Sequence, residues 1–182
     1  MPAEVLIAYC TRSGSTAEVA QTMGETMRAA GLQVEVKAMA EVESIAQGTA
    51  VMLGTAIYIG HFPKELHRFV MRFQKELEQV RPWIFVLGPT EKERKQFAAA
   101  EEQARKEMGK YPWLRPADMR VLGGKFDPQH LSLPFPMSLL MKLQANPMKK
   151  LPASDIRDWD WIRRWAEAIA EGLIAHAGVQ RV

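Results

Sequence analysis

The sequence predicts an α/β domain in which helices cover both faces of a five-stranded parallel sheet. Short apolar runs alternate along the chain with longer segments whose apolar residues recur every three or four positions. That alternation is typical of a three-layer, doubly wound fold. The chain has 182 residues, of which 47% are hydrophobic and 25% charged, and this is enough to bury one continuous core. We therefore expect a single domain over residues 1–182.

Five short apolar runs are the predicted strands. Residues 4–9, EVLIAY, and residues 49–55, TAVMLGT, have the continuous apolar character of strands buried on both faces. Residues 33–39, QVEVKAM, alternate between apolar and polar, which predicts one exposed face and an edge position. The fourth and fifth strands are WIFVLG, residues 83–88, and MRVLGG, residues 119–124.

Four segments with helical periodicity connect and follow the strands. The first, residues 15–31, ends at Gly31, and the second begins after Pro63 as one long helix that reaches Val80. A charged, Ala-rich segment over residues 91–109 predicts the third helix, and residues 155–177 predict the last. The apolar residues that define the second stripe are Leu66, Phe69, Val70, Phe73, Leu77 and Val80.

One apolar segment, residues 128–154, does not fit this alternation of strands and helices and lies between the last strand and the last helix. It contains five prolines and no acidic residue, and it combines leucines and methionines with three lysines. A connection of this length is usually functional or disordered, and this one is too apolar for a typical disordered segment. Two interpretations stay open: a surface that contacts a membrane or a quinone, or a segment that covers a bound ligand or a dimer interface.

The loop TRSGST, residues 11–16, lies where the first strand ends and the first helix begins. Its hydroxyl groups, the close approach allowed by Gly14 and the free N–H groups of a helix start suit a phosphate. The alternative is a set of capping and turn residues with no ligand. The sequence has no G-x-x-x-x-G-K at this position and no G-x-G-x-x-G, which favours a mononucleotide over a nucleoside triphosphate or a dinucleotide.

This loop resembles the T-x-T/S-G-x-T phosphate loop of the flavodoxins, which bind FMN. GTAIYIGHF, residues 54–62, and LGPTEK, residues 87–92, are similar to the two flavodoxin loops that hold the isoalloxazine ring. The resemblance covers nearly the whole chain and implies the sheet order 2-1-3-4-5 with FMN as cofactor. The FMN-binding residues that it implies are Thr11, Arg12, Ser13, Gly14, Ser15, Thr16, Ala56, Ile57, Tyr58, Ile59, Gly60, Leu87, Gly88, Pro89, Thr90, Gly123, Gly124 and Lys125.

Three residues of the first ring loop have individual expected roles. Tyr58 is expected to stack on a flavin face, or else to be an exposed loop aromatic. Gly60 lets a peptide reorient toward flavin N5, as in flavodoxins, or only forms a tight turn. His61 is the predicted catalytic residue, as a donor to a ring or substrate oxygen or as a proton carrier, and its alternative role is a helix cap.

A subfamily resemblance rests on the I-x-x-G-H element at Ile57–His61, on MSLLMKL within the apolar segment and on DWDWIRRW in the last helix. These features are similar to the flavodoxin-like, menaquinone-dependent protoporphyrinogen oxidases. The resemblance implies oxidation of protoporphyrinogen IX with a quinone as electron acceptor, in heme biosynthesis. The alternatives are a flavodoxin that carries electrons between proteins, and a module that has kept the fold without FMN.

Composition bounds the location and partners. The sequence has one cysteine, Cys10, no apolar run of eighteen residues and no signal-peptide pattern at its start. We expect a cytoplasmic protein, peripheral on the inner face of the cell membrane if residues 128–154 contact lipid. A net charge of +3 argues against a carrier flavodoxin, which is typically strongly acidic. No nucleic acid is expected as partner, and a homodimer is an expected use of the apolar segment.

Overall fold

The computed structural model describes residues 4–127 and 152–179, and its centre is a parallel five-stranded sheet. The strands are β1 (Glu4–Tyr9), β2 (Gln33–Ala38), β3 (Ala50–Ala56), β4 (Trp83–Leu87) and β5 (Asp118–Leu122). Their order is β2-β1-β3-β4-β5, and every neighbouring pair is parallel. The predicted fold and strand order are confirmed, as is the edge position of β2.

Five α-helices cover the two faces of the sheet in the described part of the chain. They are α1 (Ser15–Ala29), α2 (Lys64–Arg72), α3 (Gln74–Gln79), α4 (Arg94–Met108) and α5 (Trp159–Val179), and a short 3₁₀ helix spans Met39–Glu41. No helix in these ranges is long and apolar enough to cross a membrane.

Strand alternation divides the core into two halves. In β1, Val5 and Ile7 belong to the cluster that includes residues of α1 and α5, while Leu6 and Ala8 belong to the cluster under α2, α3 and α4. All four side chains are at most 3% exposed. A parallel strand buried on both faces is therefore apolar without interruption, as residues 5–8 of β1 are.

The single long helix predicted after Pro63 is wrong, because the chain breaks at Phe73 into α2 and α3. The backbone there leaves the helical region, with φ −106° and ψ 28°. Phe73 is 4% exposed and Leu77 is fully buried, so the break lets residues on both sides of it reach the core. The apolar residues keep a period of 3.6 residues across Phe73, so the sequence pattern alone cannot reveal the break.

A two-stranded antiparallel ribbon corrects the prediction for the end of the chain. β6 (Lys125–Phe126) pairs with β7 (Ser154–Asp155), so the last helix starts at Trp159 and not at residue 155. The ribbon brings the two ends of the predicted apolar segment together, next to the carboxyl ends of the sheet strands. Residues 128–151 of that segment lie outside the described residues.

Candidate functional site

The phosphate loop, residues 11–16, wraps the start of α1 at the carboxyl end of β1. Gly14 precedes the helix with φ +85°, a conformation that glycine adopts without strain. The backbone N–H of Gly14 donates to the Thr11 hydroxyl oxygen at 3.0 Å, and the N–H of Glu18 donates to the Gly14 carbonyl at 3.0 Å. The loop is thus preformed around the helix start.

Thr16 has a buried hydroxyl whose oxygen lacks a hydrogen-bond partner within the described part of the chain. The Thr16 residue is 0% exposed, and leaving a buried polar group unsatisfied costs about 1–3 kcal/mol. The backbone N–H groups of Ser15 and Thr16 lie in the first helical turn, where no intrahelical carbonyl is available. An anion at this helix start would satisfy these donors together.

A small cleft of ≈130 Å³ connects the phosphate loop to the loops after β3 and β4 and to the ribbon. This volume is below the about 300–1,000 Å³ of a typical small-molecule pocket. An FMN would therefore fill the cleft with only a part of its atoms and lie against the surrounding loops with the rest. The cleft is lined by Ser13, Ser15, Ala56, Ile57, Tyr58, Leu87, Gly88, Thr90, Gly124, Lys125 and Phe126.

Backbone hydrogen bonds hold the two ring loops in register with each other. The N–H of Ile57 donates to the Leu87 carbonyl at 2.9 Å, and the N–H of Gly88 donates to the Leu122 carbonyl at 3.2 Å. The N–H of Gly124 donates to the Pro89 carbonyl at 2.6 Å. Pro89 therefore contributes an acceptor to the scaffold, although it has no N–H for a ligand.

The first ring loop ends in a tight two-residue turn between Tyr58 and His61. The N–H of each of these two residues donates to the carbonyl of the other, at 2.9 and 3.1 Å. Ile59 and Gly60 between them have φ +50° and +75°, which is the pattern of a type I′ turn. A β-branched residue is rare at positive φ, and Ile59 is 71% exposed, so no packing of its side chain compensates for the strain.

Tyr58 is half-buried at the cleft and contacts the phosphate loop. Its hydroxyl accepts the backbone N–H of Arg12 at 3.2 Å, and the Arg12 guanidinium carbon lies 4.6 Å from the ring centroid. Burial raises the pKa of the Tyr58 phenol. The alternative role of Tyr58 as an exposed loop aromatic is wrong, because Tyr58 is half-buried and the neighbouring Ile59 is the exposed residue of the loop.

His61 is directed toward α4. Its Nδ1 lies 3.3 Å from Oε1 of Glu107, its side chain is 73% exposed, and it is not among the residues that line the cleft. The Glu107 carboxylate is buried and also accepts the N–H of Phe62 at 3.3 Å and the Lys110 ammonium at 2.7 Å. Burial alone raises the pKa of Glu107, but these hydrogen bonds outweigh it and lower the pKa below its ordinary value.

Gln103 adds a second link between α4 and the same turn. Its side-chain amide donates to the Gly60 carbonyl, one helical turn before Glu107. The catalytic role of His61 stays a prediction, and the contact that its side chain makes in the structure is with Glu107 of α4.

Other predicted FMN-binding residues surround the cleft without lining it. Gly123 is close to the backbone of residue 156, where an added Cβ would lie 2.3 Å from the Ile156 carbonyl oxygen, so its small size serves chain packing. Gly124, in contrast, lines the cleft. The predicted residues outside the lining are Thr11, Arg12, Gly14, Thr16, Ile59, Gly60, Pro89 and Gly123, together with His61.

Sequence reasoning missed a charged network beside the phosphate loop. Arg157 is 8% exposed and contacts Asp155 and Glu18, and Lys125 contacts Glu18 from the ribbon. The hydrogen bonds from Arg157 hold the pKa of Asp155 below its ordinary value. Residue 157 lies 142 positions after Ser15, so no local pattern connects the two. Phe126, which lines the cleft, was missed as well, although it directly follows the predicted Lys125.

Comparison with known structures places the chain among flavodoxin-like folds. A flavodoxin from Archaea aligns with 93% of this chain and 98% of its own at 12% identity, with a TM-score of 0.57. The NAD(P)H:quinone oxidoreductase from Methanothermobacter marburgensis aligns with 93% of this chain and all of its own at 11% identity, with a TM-score of 0.57. Identities this low show the fold alone.

A larger protein contains a similar domain. The rubredoxin oxygen:oxidoreductase from Desulfovibrio gigas aligns with 96% of this chain but only 37% of its own length, at 16% identity and a TM-score of 0.55. No curated protein matches the sequence significantly.

The flavodoxin domain family matches residues 6–147, which is more than half of the chain. FMN, the cofactor of flavodoxins, fits the residues present: the unpartnered Thr16 hydroxyl and the first-turn N–H groups suit its phosphate. Ser13 and Ser15 of the same loop line the cleft together with residues of the two ring loops. The chain belongs to the flavodoxin family, and its cofactor is FMN.

Proposed function

We propose that the protein is an FMN-dependent oxidoreductase that takes electrons from a hydrophobic reduced substrate, such as protoporphyrinogen IX, and passes them to a quinone such as menaquinone. Bound FMN supplies the redox chemistry, and the protein sets the position and environment of the cofactor. Flavodoxin family membership and the FMN site support the redox role. The choice of substrate and acceptor rests on the resemblance of the sequence to menaquinone-dependent protoporphyrinogen oxidases and on the position of the β6–β7 ribbon.

The observation that carries the proposal is the position of the β6–β7 ribbon. Lys125 and Phe126 of β6 line the cleft, and Asp127 directly precedes the segment of residues 128–151. The sequence of that segment contains nine leucine and methionine residues, three lysines and no acidic residue. The chain therefore attaches an apolar and basic segment at the rim of its cofactor site. Such a composition suits a flat hydrophobic molecule or a membrane surface.

The side chains at the cleft have roles in binding and orientation. The phosphate loop donors would hold the phosphate of FMN, and Thr90 and the backbone of the second ring loop would contact the rest of the cofactor. The Gln103 and Glu107 side chains fix the turn at Gly60 from outside the cleft. Phe126 adds an apolar side chain to the lining of the cleft.

The second candidate is a flavodoxin that carries electrons between partner proteins. The same FMN site supports it. The net charge of +3 argues against it, since a strongly acidic surface is typical of carriers that dock basic partners. Under the proposed function the partners are small hydrophobic molecules and the cytoplasmic face of a membrane, with a homodimer through the apolar segment as a further proposal.

Quinone-linked turnover tests the proposal directly. The FMN-loaded protein is mixed anaerobically with protoporphyrinogen IX and a soluble menaquinone analogue, and consumption of both is followed by absorbance. We expect catalytic turnover that requires the quinone, the porphyrinogen and FMN together. The control is the Thr16→Val protein without added FMN, which shows how much conversion proceeds without a loaded site.

Two outcomes would overturn the proposal in different ways. The protein would be identified as a carrier if it bound FMN, if its reduced FMN were reoxidised once by a redox protein, and if no quinone supported turnover. Quinone turnover with another reductant but not with protoporphyrinogen would keep the quinone oxidoreductase and exclude the porphyrin.

A further inference from the structure

Arg157 is a buried cation beside the first turn of α1. Its side chain is 2% exposed, and it lies between β7 and α5. Its Nε and Nη2 donate to the two carboxylate oxygens of Asp155 at 2.8 and 2.5 Å. Its Nη1 lies 2.8 Å from Oε2 of Glu18 and donates to the Ser15 carbonyl at 3.3 Å.

The contact with Ser15 connects the end of the chain to the phosphate loop. Ser15 is the first residue of α1 and is 5% exposed. A guanidinium presents its donors in a rigid fork, so the bidentate pair with Asp155 fixes the direction in which Nη1 points. The Trp159 ring, whose centroid lies 4.5 Å from the guanidinium carbon, adds a further constraint. Arg157 therefore holds the first turn of α1 in one position.

The contact with Glu18 has an electrostatic consequence for the same loop. A carboxylate in the first turn stabilises a helix, but it also repels an anion bound at the helix start. Arg157 contacts Oε2 of Glu18, and the Lys125 ammonium lies 3.4 Å from Oε1. With Asp155 included, two cations balance two carboxylates. Without Arg157 the cluster carries a net negative charge next to the phosphate loop.

We propose that Arg157 is a positioning residue for the FMN phosphate, which fixes the first turn of α1 and compensates the charge of Glu18. The inference needs the FMN site and is independent of the electron donor and acceptor. It requires that Arg157 contribute more to the binding of FMN than to the binding of riboflavin, which has the same ring and no phosphate.

Flavin titration separates this role from a merely structural one. The dissociation constants of FMN and riboflavin are measured by fluorescence quenching for the full chain and for Arg157→Gln and Arg157→Lys. We expect the FMN affinity of the Gln variant to fall by about tenfold or more, while its riboflavin affinity changes by about twofold or less. The FMN affinity of the Lys variant is expected to lie between those of the parent and the Gln variant. Arg163→Gln is the matched control, because Arg163 is a half-exposed arginine of α5 that pairs with Asp160.

Arg157→Lys keeps a cation at this position, so it keeps the test decisive if removal of the buried charge impairs folding. The double variant Glu18→Gln/Arg157→Gln tests the charge compensation separately. Glu18 is about half exposed, so its change to glutamine is tolerated, and removal of its charge is expected to restore part of the FMN affinity. An equal loss of FMN and riboflavin affinity in the Arg157 variants would overturn the proposal. The proposal would also be overturned if the double variant showed no greater affinity for FMN, relative to riboflavin, than Arg157→Gln does.

Discussion

Arg12 and Tyr58 connect the phosphate loop to the first ring loop, because the backbone N–H of Arg12 donates to the Tyr58 hydroxyl and the guanidinium lies over the phenol ring. The two contacts measure 3.2 Å and 4.6 Å. They join residues separated by 46 positions, at the point where the phosphate end of the site meets the ring end. The position of one loop thus depends on the other.

Tyr58→Phe isolates the hydrogen bond of this pair. The variant keeps the ring beneath Arg12 and removes the acceptor of the Arg12 N–H, which costs about 0.5–1.5 kcal/mol. We expect the FMN affinity of Tyr58→Phe to fall by about 2- to 12-fold. Tyr58→Leu also removes the ring, and its FMN affinity is expected to fall further. Isothermal titration with FMN measures both. An unchanged affinity in the Phe variant would show that the hydroxyl does not order the phosphate loop.

Thr16→Val tests the unpartnered hydroxyl at the start of α1. A hydrogen bond to a charged group contributes about 1.5–3 kcal/mol, so loss of the hydroxyl is expected to weaken FMN binding by about 10- to 150-fold. The FMN-free variant is expected to be at least as stable as the parent, because it no longer buries a hydroxyl without a partner in the described structure. Thermal unfolding and FMN titration give the two results.

A matched control for this variant exists on the same helix. The Thr26 hydroxyl donates to the Thr22 carbonyl at 2.8 Å, away from the phosphate loop. Thr26→Val is expected to leave FMN affinity unchanged. A Thr16→Val protein that loses stability and keeps its FMN affinity would assign the hydroxyl to the fold and not to the cofactor.

The fold and many of the residues that line the cleft were predictable from local sequence patterns, and the corrections occur where the pattern carries no information. The buried runs of β1 and β3 and the hydroxyl-rich loop at residues 11–16 each have a local physical cause. The break at Phe73 does not alter apolar periodicity. The β6–β7 ribbon has only two residues in each strand, too few for a period to be read.

The charged residues that were missed share one property, which is their distance along the chain from the residues that they contact. Arg157 reaches the first turn of α1 from the opposite end of the sequence, and Glu107 reaches the first ring loop across 46 positions. A single charged residue next to an apolar stripe is most simply interpreted as part of a solvated helix face. Only the packing of α4 and of the ribbon against the sheet reveals the partners of these charges.

Ile59→Asn tests whether strain is stored in the turn of the first ring loop. Asparagine tolerates positive φ and Asn-Gly is the preferred pair of a type I′ turn, whereas an isoleucine in this region costs about 1–2 kcal/mol. We expect the melting temperature of the FMN-free protein to rise by about 2–4 °C. Ile59→Val keeps a β-branched residue and is expected to give no rise. A lower melting temperature for the Asn variant would mean that the exposed isoleucine side chain stabilises the fold.

Stability at low pH is expected to depend on Asp155. Its pKa in the folded protein is below the ordinary value of 3.8 because of its hydrogen bonds from Arg157. A carboxylate with a lowered pKa adds stability above its unfolded pKa, and this contribution disappears as the pH falls through the folded pKa. The parent is therefore expected to lose stability more steeply than Asp155→Asn as the pH decreases below about 4.

Urea unfolding between pH 7 and pH 3 measures this difference. The carboxylate is about 39% exposed, so solvent screening makes the effect modest. Asp160→Asn in α5 is the control, since Asp160 is 85% exposed and pairs with Arg163. Parallel pH profiles for the parent and Asp155→Asn would show that the ion pair adds no net stability.

Replacement of residues 128–151 by a short Gly-Ser turn separates cofactor binding from the contact with the hydrophobic substrate. The replacement is feasible because β6 and β7 are antiparallel neighbours, so a tight connection can join their ends. The lining residues of the cleft that belong to the described part of the chain are retained, and FMN affinity is expected to stay within about threefold of the parent.

Quinone turnover and sedimentation with anionic vesicles are expected to be lost in this variant, because the apolar and basic residues of the segment are removed. A segment variant with its three lysines changed to glutamine is the matched control, and it should lose vesicle binding while it keeps turnover with a soluble quinone. If the replacement abolishes FMN binding instead, the segment is a cover of the cofactor, and the hydrophobic substrate must be bound elsewhere on the domain.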